Sequence, residues 1–449
     1  MFRSLLIVFF MILGGFSFAQ ISTNSPYSAK GIGDVSFYGD AYTNGLGGAA
    51  VALTDSNQVN LYNPSTYSLI AKQLPLFSLG LNHYQRRFSN NGVESKGQYT
   101  GITHMILAIP FSKRFGVAAG LKPFSHSGYE INDSEVIQGD SIFHDYTGRG
   151  DVQEVFLGFS GNILQGNKHS LSIGIQGKRY FSGPERSRNS YIKSNDVQSG
   201  GIDKRHLRGS GFGVDFGMNY SFQPTREHRV RIAATYRPGI ETGFKKDETR
   251  YFYQNFFDRN SYDTIISLES IKGQVYLPSK TSVGFTYSYL PYNESKGSAK
   301  RTSLMLAFEY TMEDWSKYRE EFEGTMSSGQ YIDMTSYRLG VEYIPHRYSL
   351  DRSVYINYFD KINYRIGGYL VNTPSHVNGN QIIDKGVTFG LGFPFIMGRA
   401  VSTVNFSANY GVLNGKGDAS IVKDTYFGFN LGINIAPGFD RWFRKYKLD

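Results

Sequence analysis

No cysteine occurs in the 449 residues. Its absence excludes a disulfide framework, a thiolate metal site, a cysteine nucleophile and an acylated N-terminal cysteine. Charged residues are sparse at 19%, and tryptophan occurs only twice. The formal charge of +9 is spread along the chain without a run of five basic residues, so nucleic acid is not an expected partner. Beyond residue 20 no apolar stretch approaches the roughly 20 residues of a membrane-spanning helix. Catalytic constellations are missing too. The nine histidines are scattered, and none has His-Glu-x-x-His or other ligand spacing. Gly158-Phe159-Ser160-Gly161 falls short of a nucleophile elbow. Gly209-Ser210-Gly211-Phe212-Gly213 leads into a strand rather than a helix, so it cradles no phosphate. The sequence predicts no enzyme, no metal and no cofactor.

Abundance lies elsewhere, in 51 Gly, 33 Tyr and 34 Phe, where glycine ordinarily supplies about 7% of residues. At the N-terminus, Arg3, the apolar stretch Leu5 to Leu13 and the small-x-small site Ser17-Phe18-Ala19 read as a signal peptide over 1–19. The body then repeats with a period of two. Phe212, Val214, Phe216, Met218, Tyr220 and Phe222 share one face, against Gly213, Asp215, Gly217, Asn219 and Ser221. Phe427, Phe429, Leu431 and Ile433 alternate with Gly428, Asn430, Gly432 and Asn434 in the same way. The strands are about ten residues long, as a tilted bilayer crossing requires. Their polar faces carry Gly, Ser and Asn rather than the Lys and Glu that coat a β-sandwich, which suits a crowded, hydrated lumen.

The sequence predicts an all-β, 14-stranded antiparallel transmembrane β-barrel over 75–435. The strands fall near 75–88, 97–110, 113–125, 150–161, 168–181, 207–222, 227–238, 278–290, 300–312, 334–345, 361–371, 385–396, 399–411 and 424–435. Short connections alternate with long polar ones over 126–149, 182–206, 239–277 and 313–333, as periplasmic turns and external loops do. The connection 346–360 is too long for a periplasmic turn. Residues 20–74, Gly-rich and with little alternation, are expected to form a luminal hatch. Residues 436–449 follow the last strand as a periplasmic tail carrying Arg441, Trp442, Arg444, Lys445 and Lys447.

Particular residues in this frame carry a family resemblance. Gly45-Leu46-Gly47-Gly48-Ala49-Ala50-Val51-Ala52, followed by Asn60-Leu61-Tyr62-Asn63-Pro64-Ser65, resembles a Gly-rich hatch start and an Asn-Pro-Ala turn, with Ser65 in place of Ala. Leu277-Pro278-Ser279-Lys280-Thr281-Ser282-Val283-Gly284 looks like a Leu-Pro strand start. Asp314-Trp315-Ser316, Tyr337 to Tyr343 and Tyr364 to Tyr369 resemble later motifs in the same order. Together they resemble the FadL-like outer-membrane transporters of hydrophobic compounds, in their Bacteroidetes-type form, over about residues 45–435. The resemblance implies a fourteen-stranded barrel, a hatch marked by Gly47, Gly48, Asn63 and Pro64, and a kinked third strand that opens a side door into the membrane. Carried to this chain, Gly120 and Pro123 mark that door; alternatively, Pro123 lies just above the membrane, where the strand simply ends. Proline has no N–H to give to the ladder.

Alternation also turns Lys178, Asp215, Arg229, Arg231, Glu309, Arg338, Glu342 and Arg365 inward. Glu309, Arg338, Glu342 and Arg365 lie on neighbouring strands and are expected to form a ladder of pairs. Such a ladder braces the wall and pins the hatch; alternatively, Arg338 and Arg365 anchor a ligand carboxylate. The leading expectation is passive transport of a hydrophobic compound, such as a long-chain fatty acid, across the outer membrane of a Gram-negative bacterium, with outer-membrane lipid and lipopolysaccharide around the wall. The second is a non-transporting barrel subunit of an outer-membrane protein-assembly or secretion complex, meeting other outer-membrane proteins or lipoproteins through its loops and tail.

Overall fold

The computed structural model describes residues 25–35, 39–70, 75–137, 140–194, 197–291, 302–347, 357–397, 400–415 and 421–437. The expected signal peptide and the tail from Gly438 onward lie outside the described residues. In chain order the strands are β1 (Leu76–Asn90), β2 (Val93–Ile109), β3 (Phe115–Ile137), β4 (Asp140–Gln165), β5 (His169–Phe181), β6 (Glu185–Ser194) and β7 (Val197–Gly209). There follow β8 (Phe212–Phe222), β9 (His228–Arg237), β10 (Ile240–Tyr253), β11 (Tyr262–Leu277), β12 (Lys280–Tyr289) and β13 (Ser303–Glu313). The last are β14 (Arg319–Phe322), β15 (Thr325–Ser328), β16 (Met334–Ile344), β17 (Asn363–Val377), β18 (Asn380–Met397), β19 (Ala400–Gly415) and β20 (Lys423–Ile435).

Fourteen of these strands close an antiparallel barrel: β1 to β5, β8, β9, β12, β13 and β16 to β20. Closure comes from β20 pairing with β1, with Phe77 opposite Ile435 and Ser89 opposite Lys423. A closed ring leaves no sheet edge in the hydrocarbon, which is why barrels can cross a bilayer. The period-two pattern sets the faces. Phe216 and Met218 on β8 turn outward, while Asn219 between their neighbours is buried. Ile173, Ile232, Phe285, Phe308, Leu339 and Phe389 are also exposed on the outer wall. An apolar belt of this extent is a liability in water and an asset in lipid.

The long connections differ from expectation. Residues 126–149 are not a loop but the outer halves of β3 and β4, paired from Ser125↔Val152 to Ile137↔Asp140. Residues 182–206 hold β6 and most of β7, 239–277 hold β10 and β11, and 313–333 hold the short hairpin β14–β15. These strands join β4 through β6, β7, β10, β11 and β14 in one sheet that projects beyond the barrel. Apolar alternation is too short and interrupted along them to show: Leu207, Phe244, Val275, Leu277 and Phe322 meet in one buried cluster, while most of their other positions are polar. Their stability comes from that cluster and from backbone ladders between hairpins, both non-local. Two further hairpins were shorter than expected. Asn91-Gly92 and Asn378-Gly379 all take positive φ, between 48° and 82°, the Asn-Gly turn that matches strand twist. The expected strand over 207–222 is instead two, β7 and β8, divided at Ser210-Gly211. The long connection 346–360 includes the start of a helical turn, Tyr358–Lys361, with Asn357 accepting from Phe359 N at 3.3 Å.

Candidate functional site

Inside the ring, residues 39–70 run against inward-facing wall residues. Asp40 caps the short helix Ala41–Asn44 by accepting from Thr43 N at 2.8 Å. Tyr42, Leu46, Ala49 and Leu53 then pack with Met305 and Ala307 of β13. Val59, Leu61, Tyr67 and Ile70 pack with Leu76, Ile106, Ala118 and Phe156. Asn63 caps the 3-10 turn Pro64–Leu69, accepting from Ser65 N at 3.0 Å, and donates to Val51 O at 2.8 Å. Pro64 takes the first turn position, where its missing N–H costs nothing.

The inward glycines of the wall have a specific use here. A Cβ on Gly340 would stand 2.5 Å from Leu46 O, one on Gly367 2.2 Å from Gly47 N, and one on Gly284 2.8 Å from Ala52 N. The wall is bare where the N-terminal backbone touches it. Gly47 completes the fit from the other side. Its φ is +67°, and a Cβ there would meet Gly368 O at 2.5 Å and Leu339 O at 2.6 Å. Gly47→Ala is therefore expected to loosen the segment, because the left-handed backbone and the steric contact both disfavour a side chain. Limited proteolysis of the folded barrel should cut near residue 47 faster in the variant. Unchanged cleavage would mean that the contact is not tight.

Glu309, Arg338, Glu342 and Arg365 meet as two pairs. Arg338 Nη1 donates to Glu309 Oε1 at 2.9 Å, and Arg365 Nε donates to Glu342 Oε2 at 2.7 Å. Register places the partners directly opposite on β13–β16 and β16–β17. Glu309 also reaches inward: its Oε2 accepts from Ala50 N at 2.7 Å and Val51 N at 2.9 Å. Arg365 Nη1 donates to Asn405 Oδ1 at 2.9 Å, and Asn405 donates to Gln58 at 3.0 Å. The first pair thus ties wall to segment through charge-assisted bonds, and the second reaches it through the Asn405 amide.

Gly120 and Pro123 lie at a parting of the wall. β2 and β3 pair only from Met105↔Leu121 to Ile109↔Val117. β2 nevertheless continues on β1 out to Asn90↔Val93, and β3 continues on β4 out to Ile137↔Asp140. Among the described residues the two strands share no ladder beyond Leu121. Gly120 stands opposite Ile106 at the last paired rungs, where a Cβ would be 2.6 Å from Met105 O. At Pro123 the β3–β4 register slips, so that Phe124 is bulged between Pro123 and Ser125. The freed edge of β3 is met by the N-terminal segment instead. Asp34 N donates to His126 O at 2.7 Å, His126 N donates to Asp34 O at 2.8 Å, and Ser25 N donates to Gly128 O at 3.0 Å. Tyr99 of β2 faces the His126 ring across the parting at 4.2 Å.

Beneath this seam lies a cavity of about 110 Å³ lined by Tyr62, Lys122, Pro123, Phe124, Lys178 and Arg237, among others. Its charges are paired. Lys178 meets Glu154 at 3.2 Å and Asp215 at 2.5 Å, and Lys122 meets Glu154 at 3.3 Å. Arg237 and Lys280 meet Glu313 at 3.0 and 2.9 Å. The sequence reading singled out Lys178 and Asp215 here but missed Lys122, Glu154, Arg237 and Glu313. Their signal was available: a charged residue at an inward position of an apolar-alternating strand needs a partner.

Comparison with known proteins follows from this geometry. A family profile described as BamG matches residues 1–449. No curated protein sequence matches the chain. Among solved structures, a Pseudomonas aeruginosa FadL homologue is similar with a TM-score of 0.55 and 13% identity, over 90% of this chain and 100% of that one. The Ralstonia pickettii toluene transporter TbuX is similar with a TM-score of 0.52 and 14% identity, over 90% and 99%. The CymD monoaromatic hydrocarbon channel is similar with a TM-score of 0.50 and 14% identity, over 90% and 98%. At these identities the likeness establishes a shared FadL-like barrel fold.

Proposed function

The chain belongs to the BamG family, and from that membership and its FadL-like fold we propose an outer-membrane barrel that works at the β2/β3 seam. In this reading the N-terminal segment is a hatch, and a small hydrophobic compound passes it to leave sideways into the membrane. The observation that carries the reading is the parted wall: Pro123 and the Phe124 bulge stand where β3 leaves β2. The similar barrels named as transporters or channels of toluene and monoaromatic hydrocarbons supply the ligand class. The cavity under the seam, about 110 Å³, is smaller than the roughly 300–1,000 Å³ of ordinary ligand pockets. Passage therefore requires the Asp34–His126 bridge to open.

A second reading is favoured by the filling of the lumen. Lys122, Glu154, Lys178, Asp215, Arg237 and Glu313 form a polar packing beneath the seam, which a conduit for apolar ligands does not need. Under this reading the barrel is a non-transporting subunit of an outer-membrane protein-assembly or secretion complex. The projecting sheet of β6, β7, β10, β11 and β14, together with the basic-aromatic tail, then forms its docking surfaces.

One paired experiment separates the two. Pro123→Val supplies the missing N–H and a residue suited to a pleated strand. For transport, uptake of toluene should fall several-fold while the barrel stays folded and heat-modifiable. Truncation from Gly438 should leave uptake intact. For a complex subunit, Pro123→Val should change nothing measurable, and truncation should strip co-purifying proteins. Normal uptake with Pro123→Val, together with partner loss on truncation, rejects transport in favour of the second reading.

A further inference from the structure

The short-turn end of the barrel, opposite the projecting sheet, holds a different kind of space. A cavity of about 360 Å³ opens between the β4–β5 and β8–β9 turns, lined by Lys168, Ser170, Ser221, Arg229, Arg231 and Arg347, among others. The strands set the arrangement. Arg231 stands opposite Ser221 on β8 and Thr286 on β12, and Arg229 stands opposite Ser288. Ser170 in turn stands opposite Ser221. Guanidiniums and hydroxyls thus share adjoining rungs of three neighbouring strands and the start of a fourth.

The charge at this mouth is not balanced by the wall. Deeper in the lumen, Arg86, Lys178, Arg237, Arg338 and Arg365 each form an ion pair with a carboxylate. Among the described residues, Arg229, Arg231 and Arg347 form none. Arg229 is instead oriented by Gln223, whose Oε1 accepts from its Nη2 at 2.9 Å and its Nε at 3.3 Å. Of the two carboxylates that line the cavity, Glu342 is paired with Arg365 and only Asp55 offsets Lys168, Arg229, Arg231 and Arg347, acting on Arg231. Glu342 accepts from Arg365 at 2.7 Å, and Asp55 accepts from Asn57 N at 2.9 Å. The three guanidiniums act electrostatically on one another. Like charges gathered in a half-enclosed cavity raise its energy unless an anion joins them.

We infer that this cavity binds a phosphate group through Arg229, Arg231 and Arg347. A guanidinium presents a planar fork of donors that matches phosphate oxygens in pairs. Several forks arranged around a volume, with serine hydroxyls between them, suit a group with three or four exposed oxygens better than a lone carboxylate. Two sources share this chemistry: a soluble phosphate compound and the headgroup of a phospholipid in the adjoining leaflet. The inference is independent of the seam, because none of the three arginines lines the cavity beneath Pro123.

The test uses the full-length barrel purified in a neutral sugar detergent. Binding of inorganic pyrophosphate is measured by calorimetry, and retained phosphatidylglycerol is measured by native mass spectrometry. Arg231→Gln and Arg347→Gln are each expected to weaken binding by roughly 10- to 100-fold, the range for one lost charged hydrogen-bonding group. Raising the salt concentration should weaken binding further. Arg226→Gln, an exposed change in the β8–β9 turn outside the cavity, should bind like the unaltered protein. Pyrophosphate binding with no retained lipid assigns a soluble ligand, and arginine-dependent retention of phosphatidylglycerol assigns the headgroup. Should Arg231→Gln fail to fold, Arg347→Gln carries the same expectation, since its exposed side chain lies outside the strands. Absence of both ligands from the unaltered barrel, or equal binding by the arginine variants, overturns the inference.

Discussion

Glu309→Ala should destabilise the folded barrel by about 3–5 kcal/mol, the range for breaking one side of a buried ion pair. Glu309 is 2% exposed. Its two oxygens accept from Arg338 at 2.9 Å and from the backbone of Ala50 and Val51 at 2.7 and 2.9 Å. With Thr311 Oγ1, which donates to Oε1 at 3.2 Å, alanine removes four acceptor contacts at once and leaves buried donors short of them. Losing a charged hydrogen bond costs more than losing a neutral one. Glu309→Gln, which retains one carbonyl oxygen, should lose less. The measurement is denaturant unfolding in detergent micelles, read by the shift in heat-modifiable mobility. Protease access to the segment around Ala50 should rise in parallel with the stability loss. A Glu309→Ala barrel within about 1 kcal/mol of the unaltered one would contradict the structural role assigned here.

The second large effect lies on the opposite face. Phe216→Arg places a charge on the lipid-facing wall and should cost about 2–4 kcal/mol if the site lies at mid-bilayer. Phe216→Leu, which keeps the apolar surface, should cost within about 1.5 kcal/mol. Strand alternation alone would make Asn219→Arg the mild counterpart, since Asn219 faces the lumen. The structure removes that contrast. Asn219 is 1% exposed, and nearby Asn63 also reaches toward this strand, with Asn63 Nδ2 at 3.4 Å from Met218 O. An arginine at 219 has no room, so it should destabilise through crowding rather than through lipid. The two causes separate by environment. The Phe216→Arg cost should shrink near the edge of a thin bilayer, and the Asn219→Arg cost should not. Equal costs for Phe216→Arg and Phe216→Leu would mean that position 216 does not face lipid.

Much of the candidate site was legible because it follows strand periodicity. Glu309, Arg338, Glu342 and Arg365 were placed inward by counting residues along β13, β16 and β17. Neighbouring strands in an up-and-down barrel are consecutive, so their pairing needed no further information. The capping side chain of Asn63 and the turn position of Pro64 were similarly local. Lys122, Glu154 and Arg237 were not legible as a cluster. Lys122 and Glu154 face each other on β3 and β4, but Arg237 lies on β9 and joins them only through the curvature of the ring. Pro123 could be read as a break in a ladder, but not how far β2 and β3 part. That depends on the register slip at Phe124 and on the N-terminal segment taking over the freed edge at His126.

The sequence alone determined the number of wall strands, their inward and outward faces and the apolar belt, because a side-chain period of two is a property of each strand by itself. The Asn-Gly turns at 91–92 and 378–379 are also local, carried by two adjacent residues, but alternation by itself left longer connections there. Tertiary structure decided what the wall glycines are for: Gly284, Gly340 and Gly367 are bare because a distant segment lies against them. It decided that the long polar connections extend the sheet, since their few apolar residues reach a common cluster only once neighbouring strands bond. It also decided that Arg229, Arg231 and Arg347 gather around one cavity while the deeper cations find carboxylates. Those placements depend on which strands closure brings side by side, and a one-dimensional period carries no record of that.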